Sequence, residues 1–71
     1  MSATIDRRAL LDSICEHIRG SEAPTWGGTA EVVADAHGVA ESTVDDELAK
    51  LEREGFLYRV GDGDTAEVRL P

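Results

Sequence analysis

Five polar residues on one short stretch, Ser42, Thr43, Asp46, Lys50 and Arg53, have types and spacing that suit a definite chemistry. With Val44, Leu48 and Leu51 turned inward at i, i+4 and i+7, a 100° step carries them to the outer side of a helix, together with Ala49. Hydroxyls and cations placed this way can contact phosphates, and a carboxylate such as Asp46 can accept from cytosine N4 in a groove. Four of the five arginines outside this helix are further candidates. Arg7 and Arg8 begin an earlier helix, where cations gain nothing from the helix dipole. Arg59 and Arg69 fall on two terminal strands, where they are expected to flank each other across a hairpin, unless Glu67 pairs with them.

Other chemistries find less to work with. Cys15 and His17 are two helix positions apart and face different ways, so a packed thiol and a surface imidazole are expected. A nucleophile needs a base within reach and a third group to orient it. His37 beside Gly38 reads as a solvated residue near a helix C-terminus. One cysteine and two histidines on separate elements lack a metal-binding spacing. Asp62 and Asp64 around Gly63 are turn residues, without the further ligands of a calcium loop. The expectation is a non-enzymatic protein with no metal and no cofactor.

The elements that position these residues follow from periodicity. A first helix is predicted from Asp6, its cap, to Arg19, with Leu10, Leu11, Ile14, Cys15 and Ile18 on one side. Residues 1 to 5 read as a frayed arm, leaving 6 to 71 as the domain. Pro24 and Gly27-Gly28 make residues 20 to 28 a loop, with Thr25-Trp26 suited to a short strand and Trp26 covering one end of the core. Thr29 is the expected cap of a second helix bearing Val32, Val33 and Ala36, which Gly38 terminates before Val39 turns inward. A third helix starts at Glu41 or Ser42, with Ser42 and Asp45 as a loose capping box, and Gly55 closes it. Phe56, Tyr58 and Val60 then alternate with Leu57 and Arg59, and Ala66, Val68 and Leu70 with Glu67 and Arg69, across the turn GDGDT. Val44, Leu48, Leu51, Leu11, Ile14 and Phe56 are the expected core.

Two helices joined by a tight Gly turn and followed by a hairpin make a recognisable pattern. The run HGVAESTVDDELAKLEREGFLYRV resembles the core of winged helix-turn-helix proteins. In that family a Gly-Val-Ser-x-Ser-Thr-Val turn enters the recognition helix. A Leu-x-x-Leu-Glu-x-x-Gly ending, here Leu48, Leu51, Glu52 and Gly55, leads into the wing. The resemblance covers roughly Asp6 to Leu70. It implies an α+β winged helix with three helices, a C-terminal two-stranded wing and a short third strand near Trp26. Ala40 stands where the family usually has a capping Ser, and Asp45, Asp46 and Glu47 where DNA readers commonly carry Arg, Gln, Asn or Lys.

Charge bears directly on the partner. Fifteen acids face seven bases, a net charge of −8, and Lys50 is the only lysine. Residues 21 to 55 hold nine of the acids against Lys50 and Arg53, a balance of −7, so the excess sits on the motif itself. An acidic surface favouring arginine over lysine resembles haloarchaeal proteins, whose cytoplasm is close to saturated salt. In molar salt counterion release adds little to affinity, and binding leans on shape and hydrogen bonds. The resemblance therefore implies a small haloarchaeal transcriptional regulator that binds double-stranded DNA. A rival is an acidic protein-interaction module, similar to the C-terminal domain of archaeal minichromosome-maintenance helicases, and a third expectation is a homodimer formed through the first helix. The sequence has neither a membrane-spanning stretch nor a signal-peptide segment, which points to the cytoplasm. At 71 residues a single domain buries only about 60% of its unfolded surface, so its stability margin is thin.

Overall fold

The computed structural model describes residues 7–71; the arm at residues 1 to 5 and the Asp6 cap lie outside them. The order is α1 (Arg7–Gly20), α2 (Trp26–His37), α3 (Glu41–Arg53), β1 (Tyr58–Val60), a 3-10 turn (Gly63–Thr65) and β2 (Glu67–Arg69). β1 and β2 pair antiparallel, with Tyr58 opposite Arg69, Arg59 opposite Val68 and Val60 opposite Glu67. Three helices followed by a two-stranded sheet form a small α+β domain with a winged-helix layout. No helix among the described residues is long and apolar enough to cross a membrane.

The periodic residues meet in one core. Leu10, Ile14 and Ile18 come from α1, Ala30, Val33 and Ala34 from α2, and Val44, Leu48 and Leu51 from α3. Leu57 and Val68 close it from the hairpin, while Leu11 and Val39 pack half-buried against its edge. Both α2 and α3 end as their glycines require. Gly38 is left-handed at φ 65°, with Val39 N–H donating to Ala34 O and Gly38 N–H to Asp35 O. Gly55 at φ 84° repeats the pattern, with Phe56 N–H on Leu51 O and Gly55 N–H on Glu52 O. Each arrangement satisfies carbonyls that the last helical turn leaves open.

Several expectations are corrected. α2 begins at Trp26, inside the segment read as a loop, and its cap is Thr25, whose hydroxyl accepts from Gly28 N–H at 3.0 Å. The cost of two glycines in a first turn is offset by what they admit. A Cβ on Gly27 would stand 2.9 Å from the Asp64 Cβ, so the 3-10 turn can lie against α2 only because Gly27 has no side chain. The hairpin tip is thereby folded back on the helix. Thr29, expected as the cap, is buried in the helix instead. Val32 and Ala36 are exposed, because the inner face of α2 is made by Thr29, Ala30, Val33 and Ala34.

Phe56 is not core: it is 58% exposed and Leu57 is 2% exposed. The expected alternation holds, but with Leu57, Arg59, Ala66 and Val68 on the inner side. The short third strand is reduced to a single bridge, Thr25 opposite Glu67, flanked by Trp26 N–H on Ala66 O and Val68 N–H on Pro24 O. The loose capping box does not form. Ala40 occupies the cap of α3 with no side-chain bond, and Asp45 is engaged elsewhere.

Candidate nucleic-acid interface

Ser42, Asp46, Lys50 and Arg53 are exposed along α3 at i, i+4, i+8 and i+11, and Thr43 is half-buried beside them. The stripe lies on the opposite side of α3 from Val44, Leu48 and Leu51, as the helical step requires. Among the described residues the Lys50 and Arg53 side chains enter no ion pair.

The carboxylates of α3 are arranged less uniformly than their sequence suggests. Asp45 accepts from the Trp26 indole N–H at 3.1 Å. Glu47 is buried and takes both Arg7 Nε and Nη2 on one oxygen, at 3.3 and 3.1 Å. A carboxylate removed from water needs such a partner, and Arg7 at the start of α1 supplies it across the helix pair. Glu52 receives Arg59 in a bidentate grip at 2.9 and 2.8 Å. The Arg59 guanidinium also stacks 4.0 Å from the centre of the Trp26 ring. Three of the six acids between Glu41 and Glu54 thus face internal partners, leaving Asp46 as the one acid within the stripe of Ser42, Asp46, Lys50 and Arg53.

The same contacts redistribute the other basic residues proposed for binding. Arg7 and Arg59 are engaged as described, and Arg69 pairs with Glu67 two residues back on its own strand at 2.6 Å. Arg59 and Arg69 do not flank each other. Arg59 lies opposite Val68 on the inner face, and Arg69 opposite Tyr58 on the outer one. A side chain's face is fixed by strand parity, and the two arginines differ in it. Arg8 is exposed on the first turn of α1.

Sequence reasoning missed the inward role of Asp45 and the Trp26–Arg59–Glu52 stack, since contacts between residues seven, nineteen and thirty-three apart give no periodic signal. It also took His37 for a solvated residue. His37 Nε2 stands 2.6 Å from Ser13 Oγ, tying the end of α2 to the middle of α1. Hydroxyl and imidazole are of the nucleophile–base type, but among the described residues no carboxylate hydrogen-bonds the His37 ring to orient it. Among the described residues no three His, Cys, Asp or Glu side chains come together as a metal site.

The Glu52–Arg59 pair carries a pH signature. The hydrogen bonds from Arg59 hold the Glu52 carboxyl below the ordinary glutamate value. Its contribution is present above the unfolded-state pKa and is lost as pH falls through the lower folded value. Stability to urea is therefore expected to drop with acid through that window in the native chain. Glu52→Gln should start from a lower midpoint at neutral pH and lose less on acidification. An acid dependence identical in both chains would show that the pair contributes nothing.

Comparison of the chain with protein-family models, curated proteins and solved structures gives no match.

Proposed function

We propose that this is a non-enzymatic winged-helix protein that binds double-stranded DNA through α3 and serves as a small transcriptional regulator in a high-salt cytoplasm. The observation that carries this reading is the sorting of charge on α3: Asp45, Glu47 and Glu52 are turned to Trp26, Arg7 and Arg59, while Lys50 and Arg53 face outward. A helix that is acidic by composition thereby offers a face with two cations, one carboxylate and a hydroxyl. Ser42 and Thr43, in its first turn, would donate to phosphates. Lys50 and Arg53 would contact phosphates further along, and Asp46 would accept from cytosine N4. Arg7, Arg59 and Arg69 are held by glutamates and would contribute only where a phosphate displaces that partner, with Arg8 in support.

The test is a titration with random-sequence duplex across a wide KCl range. Lys50→Ala and Arg53→Ala should each weaken binding uniformly across sequences and reduce the salt slope by about one. Absence of association at every salt concentration would end the DNA reading. One observation favours a second reading, a docking module for another protein: the glutamates that hold Arg7, Arg59 and Arg69 take three arginines from any phosphate-facing surface. Retention of a protein partner by a chain that ignores DNA would favour it.

A further inference from the structure

We propose that the open edge of β1 pairs antiparallel with the same strand of a second copy, making one four-stranded sheet across a two-fold axis. This does not rest on contact with DNA. β2 is bridged on one side by β1 and on the other by Thr25, so β2 is the central strand and, among the described residues, nothing pairs with the outer edge of β1. An unpaired edge presents free N–H and C=O groups to any matching strand.

The side chains beside that edge are unusual for this molecule. Four large hydrophobic residues are exposed among those described, and three of them, Phe56, Tyr58 and Val60, alternate along this one segment. Tyr58 is 45% and Val60 54% exposed, on the outer face of the sheet. The stripe is uncharged in a chain of net charge −8. It is thus where two acidic copies approach with least repulsion, whereas a basic peptide would be drawn to the carboxylates of the helices.

Charge also fits a copy of the same strand. Within the hairpin Arg69 lies beside Tyr58 and Glu67 beside Val60. A two-fold at Arg59 sets Tyr58 against Val60 of the second copy. Each row of outer side chains then begins at an arginine and ends at the other copy's glutamate. The like pair, Arg59 against Arg59, falls on the inner face, where each guanidinium is already held by its own Glu52. Cross-strand apolar pairs of this kind are a normal source of sheet stability, and the interface repeats its pair twice because a two-fold contact is isologous.

Sedimentation in molar KCl over a wide protein concentration range tests the pairing, with the double variant Tyr58→Glu, Val60→Glu as the disrupting change. The native chain should show a monomer–dimer equilibrium. The variant, with like charges facing across the seam, should dissociate at least about tenfold more readily at an unchanged helix content. A native chain that stays monomeric throughout overturns the proposal, and so does a dimer that the variant leaves intact, which would place the interface elsewhere, for example on α1. If the variant fails to fold, isotope-filtered NMR of mixed labelled and unlabelled native chain decides. Intermolecular contacts between the Tyr58 ring and the Val60 methyls support the pairing, and their absence in a dimer refutes it.

Discussion

Leu48→Ala is expected to unfold much of the population at room temperature. Leu48 has no exposed surface and sits on the inner ridge of α3 between Val44 and Leu51, in a core shared with α1, α2 and the hairpin. Truncating a fully buried leucine costs about 2–5 kcal/mol, the transfer term plus whatever cavity the neighbours cannot fill. At about 0.05–0.15 kcal/mol per residue, a domain of this size has a total margin of only a few kcal/mol to roughly 10. Urea unfolding followed by far-UV circular dichroism in molar KCl measures the loss. Leu48→Met, which nearly conserves volume, should cost less than about 1.5 kcal/mol. A loss below about 1 kcal/mol for the alanine variant would mean that the ridge is not where the fold is held.

Trp26→Ala should be as damaging, and for reasons spread over three elements. Trp26 opens α2, its indole fills the end of the core, its N–H donates to Asp45 of α3, and its ring lies under Arg59 of β1. Removal of a buried tryptophan side chain costs about 3–5 kcal/mol. Trp26→Phe separates the contributions, since it keeps an apolar body and a ring face but deletes the donor to Asp45. A cost of about 0.5–1.5 kcal/mol is expected for the hydrogen bond itself, in addition to the lost area. Asp45→Ala, which removes the acceptor, in both backgrounds completes a double-mutant cycle. Full additivity would show that the indole and the carboxylate do not interact.

The helical ridges were legible because burial imposes a period that the chain must write into consecutive turns. Leu10, Ile14 and Ile18, then Val44, Leu48 and Leu51, could serve no other purpose at that spacing. Gly38 and Gly55 were equally legible, since a left-handed residue after a helix is nearly a glycine requirement. The hairpin alternation could be read but not its sign. Phe56 is among the expected core residues, yet it is exposed and Leu57 buried; only the packing of the hairpin against the helices determined which parity faced inward. Gly27 and Gly28 misled for a related reason. In isolation they break helices, but here one of them makes room for the backbone of a turn some forty residues away.

For the candidate site the division is similar. The helical step alone placed Ser42, Asp46, Lys50 and Arg53 together, and the structure keeps them exposed on one stripe. Which charges remain available on the surface was not a sequence property. Arg7 finds Glu47 forty residues on, Arg59 finds Glu52 across a chain reversal, and Arg69 takes the near neighbour on its own strand.

The sequence by itself determined the three helices, their terminating glycines, the two-stranded hairpin and the outward stripe of α3, because each depends on residues within a few turns of one another. Only the tertiary structure decided where α2 starts, which face of the hairpin is buried, and which carboxylates are matched by arginine or indole donors. Those outcomes depend on groups distant in the chain competing for the same partners in space, and neither a local period nor a composition encodes who wins.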